Sequence, residues 1–184
     1  MIKPITIYGH PVLRKVAKDI DKDYPDLEKF KADMWQTMYF ADGVGLAAPQ
    51  VGRSIRMFVI DCSNFADEEP ELEGFKKMFI NAQITERTGD EWSMSEGCLS
   101  IPGLNEDVVR PESIKIEYYD ENFEFHEEEY SGFAARVIQH EYDHLEGIMF
   151  TDHCSPLRKR LLKSKLMGIT KGKFDAKYRF TLPK

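Results

Sequence analysis

The segment His140-Glu141-Tyr142-Asp143-His144 sets two imidazoles four residues apart with a carboxylate beside the first. At about 100° per residue, positions i and i+4 differ by roughly 40°, so on a helix both rings leave one face. Two nitrogen ligands one turn apart suit a divalent metal. Glu141 can sit beside that metal without binding it, which is where a general base for activated water belongs. With Phe133 at 0°, Val137 falls at about 40°, His140 at about −20° and His144 at about 20°. Ala134, Ile138 and Leu145 gather at roughly 100–140°, Glu141 falls between the two groups, and Arg136, Gln139, Asp143 and Glu146 take the far side. The histidines therefore point into the apolar interior, where a polar ring needs a partner.

Two histidines are not a full ligand set. Glu146 lies two residues past His144 on the wrong face, and His153 follows Gly147 too closely. Upstream, Cys98 stands in Glu96-Gly97-Cys98-Leu99-Ser100, a Gly/Ser-rich turn after a strand where backbone can approach a metal. Sulfur mixed with nitrogen suits Zn2+ or Fe2+. Taken alone, a single cysteine is more simply a small buried hydrophobe.

Gly43-Val44-Gly45-Leu46-Ala47-Ala48-Pro49-Gln50 formally matches G-x-G-x-x-G/A. A dinucleotide site needs a strand before it and a helix after it, whereas here a helix precedes while Pro49 and a strand follow. The glycines let backbone run close to a ligand, and Gln50 can present an amide. A plain helix-to-strand connection explains the composition equally well.

These residues must be positioned by a small set of elements. A short helical stretch is expected over 12–17, and a stronger helix opens at Pro25-Asp26 and ends near Phe40, with Leu27, Phe30, Met34 and Met38 at helical spacing. Residues 42–52 read as a loop, 55–61 as a strand, 64–74 as an exposed acidic loop, and 78–80 and 84–88 as short strands. Another strand covers 114–119, and Asp120-Glu121-Asn122 turns it into Phe123-Glu124-Phe125-His126. A long helix runs from Gly132 to Leu145 and stops at Gly147. A basic helix follows from Pro156 to about Met167, with Leu157, Leu161, Leu162 and Leu166 on one side. The expected class is α+β: antiparallel sheets packed around a central metal-binding helix, with a C-terminal helix.

The length of 184 residues matches one domain, so residues 1–184 are expected to form a single catalytic unit. No apolar run approaches a membrane span of roughly 18–20 residues, and the opening MIKPITIYGHPVLRK has neither an apolar core nor a small-residue cleavage site. Three cysteines without CxxC make a poor disulfide framework, so a reducing cytoplasm is expected. Cys62 and Cys154 receive no role. The net charge of −7 hides an asymmetry: residues 1–154 hold 15 Lys/Arg against 31 Asp/Glu, and residues 155–184 hold 10 against one. Only the basic C-terminal segment could meet a negative partner.

GVGLAAPQ at 43–50, EGCLS at 96–100 and QHEYDH at 139–144 occur in that order. Together they resemble the peptide deformylases, whose motifs are G-φ-G-φ-A-A-P-Q, E-G-C-φ-S and H-E-φ-D-H with φ apolar. Tyr142 is a bulkier φ than usual. The resemblance extends to the opening Tyr8-Gly9-His10-Pro11-Val12-Leu13-Arg14. It implies removal of the formyl group from N-terminal formyl-methionine of nascent polypeptides, with release of formate. By motif position it implies Cys98, His140 and His144 as metal ligands, Glu141 as general base and then acid, and the Gln50 side chain with the Leu99 N–H as holders of the developing oxyanion. It implies contact between Gly45 and the substrate backbone, and Fe2+ as the metal, with Ni2+, Co2+ or Zn2+ able to substitute. A similarly placed family arginine suggests Arg110 near the peptide path. Val44, Met94, Phe133 and Val137 are candidates for the methionine pocket, or ordinary core. Ribosome docking through the basic segment is likewise implied, beside the simpler reading of a solvated face packed by its leucines.

Two other classes share part of this pattern. A zinc endopeptidase shares HExxH but leaves EGCLS and GVGLAAPQ unexplained. An RNA- or ribosome-binding module with a structural metal would use the basic segment, and formate release from formyl-Met peptides discriminates it from an enzyme.

Overall fold

The computed structural model describes residues 1–184. In chain order the strands are β1 (Ile5–Thr6), β2 (Gly45–Ala47), β3 (Met57–Asp61), β4 (Lys76–Cys98), β5 (Ile101–Tyr119), β6 (Phe125–Ser131) and β7 (Phe180–Thr181), and the α-helices are α1 (Leu27–Phe40), α2 (Gly132–Leu145) and α3 (Pro156–Thr170). The main sheet runs β2-β3-β4-β5-β6 with every pair antiparallel, and β1 pairs with β7 in parallel. The architecture is α+β, as expected, although the small second sheet is parallel.

The apolar run Met57-Phe58-Val59-Ile60 explains how the layers stack. Successive strand side chains point to opposite faces. Met57 and Val59 join Phe30, Met34 and Met38 of α1 in one core, and Phe58 and Ile60 join Ala135, Ile138 and Leu145 of α2 in another. A strand covered on both faces loses its polar alternation, which is why β3 reads as continuous apolar sequence.

The β4–β5 ribbon departs from the sequence expectation. The two short strands expected at 78–80 and 84–88 are parts of one bulged strand reaching Cys98, and the strand expected at 114–119 begins at Ile101. Residues 85–91 are polar and exposed on both faces, so they carry no periodic signal. Further on, alternate inward positions are Trp92, Met94, Glu96 and Cys98 on β4, and Val108 and Arg110 on β5. Alternation exists there, but charged Glu96 and Arg110 occupy inward places, so hydropathy alone misses it.

Three further corrections concern shorter pieces. Residues 42–52 are not simply a loop: Gly45–Ala47 pairs with Phe58–Ile60, and Ala48–Val51 forms a 3-10 turn. Three residues are too few to show a period. The expected helix at 12–17 is a 3-10 turn over Pro11–Arg14, closed by extended Lys15. On α3, Leu162 and Leu166 are buried with Ile169, but Leu157 and Leu161 are 65% and 64% exposed. The buried stripe follows i, i+4, i+7 from Leu162, and the other two leucines sit roughly 100–140° away around the helix.

Helix α2 ends as its sequence foretells. Gly147 has φ +71°, and a Cβ there would meet the Arg14 carbonyl oxygen at 2.7 Å, so only glycine fits this turn. The far side of α2 is not solvent. Arg136, Gln139 and Asp143 are buried against the ribbon, with Gln139 Nε2 donating to Pro111 O at 3.0 Å.

Candidate active site

Helix α2 carries His140, Glu141 and His144, and the last inward residue of β4 brings Cys98 to them. The ligand atoms of Cys98, His140 and His144 all lie within 4.8 Å of one another, and Cys98 Sγ stands 3.4 Å from His144 Nε2. Glu96 is two residues before Cys98, so both leave the same face of β4. Its carboxylate lies 2.8 Å from His140 Nδ1, which leaves Nε2 of that ring for the cluster. A carboxylate behind a ligating imidazole fixes its tautomer and orientation.

Glu96 is itself held by a buried network. Arg110 donates to both its oxygens, at 2.7 and 3.0 Å, and Arg136 Nη1 donates at 3.0 Å. Arg110 also donates to Asp143 at 2.8 Å, and Asp143 meets His153 Nε2 at 2.7 Å. Burial pushes the Glu96 carboxyl up, but the bonds from His140 and Arg110 outweigh it and hold the group well below the usual carboxylate range. The same competition acts on Cys98: burial raises its thiol, and the two imidazoles pull it down to about 5. Burial dominates for Glu141, whose carboxyl is pushed up to about 7.

The glycine-rich segment supplies the facing wall. Ala47 N–H donates to Gln50 Oε1 at 2.8 Å, which fixes the amide so that Nε2 reaches Ser100 Oγ at 3.2 Å and Cys98 Sγ at 3.4 Å. Gln50 is 1% exposed, and turning its amide over would set Nε2 against the Ala47 N–H. A Cβ on Gly45 would stand 2.5 Å from Glu141 Oε1, so glycine here lets β2 pass beside the carboxylate.

A cleft of about 630 Å³ opens over these groups. Its wall includes the expected residues Val44, Gly45, Gln50, Met94, Cys98, Leu99, Phe133, Val137, His140 and Glu141, with His144 buried just beneath. Arg110 is not among them. Expected near the peptide path, it is 4% exposed and its guanidinium is taken up by Glu96 and Asp143. Its place is behind the ligands, not beside a substrate.

The family profile described as "Polypeptide deformylase" matches residues 2–160. The chain belongs to that family. It is 60% identical over 190 aligned positions to a peptide deformylase of Christiangramia forsetii, covering all of this chain and 97% of that protein. It is 56% identical over 183 positions to one of Cytophaga hutchinsonii, covering 100% and 98%. Among solved structures, a peptide deformylase from Legionella pneumophila superposes with a TM-score of 0.80 at 35% identity, covering 94% of this chain and 98% of that one. The chain is accordingly an enzyme that removes the N-terminal formyl group from newly made polypeptides. Deformylase membership sets aside the endopeptidase and the binding-module readings.

Deformylases are metal-dependent hydrolases, and the residues here fit that requirement. The donor set is one thiol held low and two imidazoles, one ring already gripped through its far nitrogen. Glu141 Oε2 is buried without a hydrogen-bond partner, as suits a carboxylate whose partner is a reactant. Sequence reasoning passed over Glu96 as a functional residue, although its spacing to Cys98 was a usable signal. It also missed Asp175–Tyr178, which line the cleft from the C-terminal segment and carry no local motif. Burial pushes the Tyr178 hydroxyl up to about 12, with the nearby Cys98 adding to the effect. No helix is long and apolar enough to cross a membrane.

Proposed function

We propose that Cys98, His140 and His144 hold one divalent metal, that Glu141 moves the protons of deformylation, and that Gln50 Nε2 and the Leu99 N–H receive the charge developing on the formyl oxygen. The observation carrying this reading is the convergence of one thiol and two imidazoles, their ligand atoms within 4.8 Å of one another, beside a buried carboxylate with an unpaired oxygen. A divalent ion bound there supplies Lewis acidity and makes water a nucleophile at neutral pH.

Glu141 takes a proton as water attacks the formyl carbon and returns it to the leaving amine. Burial raises this carboxyl above the ordinary carboxylate value, which brings accepting and returning the proton closer in ease at neutral pH. Gln50 Nε2 is held in place by Ala47 N–H, so it needs no reorganisation when charge appears on the substrate oxygen. Each such donor contributes roughly 3–4 kcal/mol in favourable cases. Val44, Met94, Phe133 and Val137 are among the apolar residues lining the cleft and receive the methionine side chain, while Gly45 meets the substrate backbone. We assign Fe2+ as the working metal, with Ni2+, Co2+ or Zn2+ as substitutes, residues 1–184 as one catalytic unit, the cytoplasm as its compartment, and the ribosome as a partner of the basic C-terminal segment.

Formate release from a formyl-Met peptide, measured with metal content, tests the roles together. Glu141→Gln should keep its metal and lose about 10²–10⁴-fold in rate. Cys98→Ala should lose metal and activity together. Stoichiometric metal in Cys98→Ala, or a near-normal rate in Glu141→Gln, would contradict the assignments.

A further inference from the structure

Residues 161–184 lie beyond the span that the family profile matches, yet Tyr178 reaches the cleft. Its hydroxyl donates to the Leu99 carbonyl at 2.7 Å. Leu99 lies in the tight turn between β4 and β5, and its own N–H makes no hydrogen bond to the rest of the chain. The direction of a free donor in such a turn is set by whatever grips its neighbouring groups. Tyr178 holds one carbonyl of the turn, and Tyr8 N–H holds the next, Ser100 O, at 2.8 Å.

Both grips come from one assembly. Ile5 N–H donates to Arg179 O at 2.8 Å and Ile7 N–H to Thr181 O at 2.9 Å, so β1 and β7 are tied immediately before Tyr8 and immediately after Tyr178. Phe174, Tyr178 and Leu182 pack on the core beneath. The Leu99 side chain is confined too: a Cβ on Gly43 would stand 2.9 Å from its Cδ1. With carbonyl and side chain both fixed, the backbone of Leu99 has little freedom, and its N–H keeps one direction.

We propose that Tyr178 is a positioning residue for deformylation, fixing the Leu99 N–H toward the formyl oxygen through the Leu99 carbonyl. This rests on the assignment of that N–H as an oxyanion donor. The C-terminal segment is thereby part of the catalytic apparatus as well as a basic surface. Losing a well-placed oxyanion donor costs about 10²–10³-fold in kcat, and loosening one costs less.

The test uses the metal-loaded full chain and a formyl-Met peptide. Tyr178→Phe keeps the ring and its packing. It should lower kcat about tenfold, change KM less than about twofold, and leave metal content unaltered. Replacing Leu99 with its α-hydroxy acid removes the N–H and should lower kcat at least 100-fold. Tyr178→Phe should add nothing in that background. If the ester variant is impaired while Tyr178→Phe keeps its kcat, the role of Tyr178 is overturned and that of Leu99 stands. A fully active ester variant overturns both. A Tyr178→Phe loss that persists undiminished in the ester background shows an effect not carried by Leu99 and also overturns the proposal.

Discussion

A handful of residues show how spacing, burial and charge combine. His140 and His144 are legible because HExxH is a local pattern on a helix, whereas Cys98 is an upstream candidate that, taken alone, reads equally as a buried hydrophobe and gains weight only from the order of the three motifs. Glu96 illustrates what local patterns miss. Its importance comes from partners 14, 40 and 44 residues away, namely Arg110, Arg136 and His140. Removing it would take one acceptor from each of two buried guanidinium groups and from one imidazole. Breaking one side of a buried charge network costs about 3–5 kcal/mol, and loss of a carboxylate behind a metal ligand lowers metal affinity about 10–100-fold. Glu96→Ala should therefore show both effects, in a denaturant melt and in a metal titration. A variant with parental metal affinity would mean that His140 is oriented by something else. Arg110 corrects the sequence reading in the same network: an arginine expected to meet substrate is instead, with His140, one of the groups that keep Glu96 ionised.

Among the elements, helices were legible and the ribbon was not. Helices α1 and α2 carry apolar residues at helical spacing and end at punctuating residues. β4 hides because its middle is exposed on both faces and its functional end places charges inward. The buried stripe of α3 is narrower than its leucine spacing predicts. Two leucines expected in the core are exposed, and the helix is pinned partly by charge, with Arg158 Nε and Nη2 donating to Glu106 at 2.6 and 2.7 Å. Arg158 holds the Glu106 carboxyl below its usual range, against the smaller opposing effect of burial. A carboxyl lowered in the folded state binds fewer protons there than in the unfolded chain, so its contribution grows as pH rises. The stability difference between parent and Glu106→Gln should be full above the unfolded pKa of about 4.3 and disappear as pH falls through the folded value. Denaturant melts across acidic pH would measure it, and a difference independent of pH would mean that the pair does not anchor the helix.

For the whole molecule, the acidic body and basic end were plain from composition, but their division of labour was not. Arg158 is engaged with Glu106, whereas Lys159, Arg160 and Lys163 lie exposed on the same helix. If this surface meets ribosomal RNA, affinity should fall with salt at a log–log slope near one unit per phosphate contact. Changing Lys159, Arg160 and Lys163 to Gln should weaken ribosome binding and flatten that slope, while activity on short formyl peptides stays intact. Unchanged binding would leave the surface to solubility and packing. Central to the whole account is that one metal sits where β4 meets α2. Anomalous diffraction at the iron edge, from crystals of protein prepared anaerobically with Fe2+, locates and identifies it in one measurement. A single peak within bonding distance of Cys98 Sγ, His140 Nε2 and His144 Nε2 is expected; a peak elsewhere, or one that leaves Cys98 unbound, would contradict this placement.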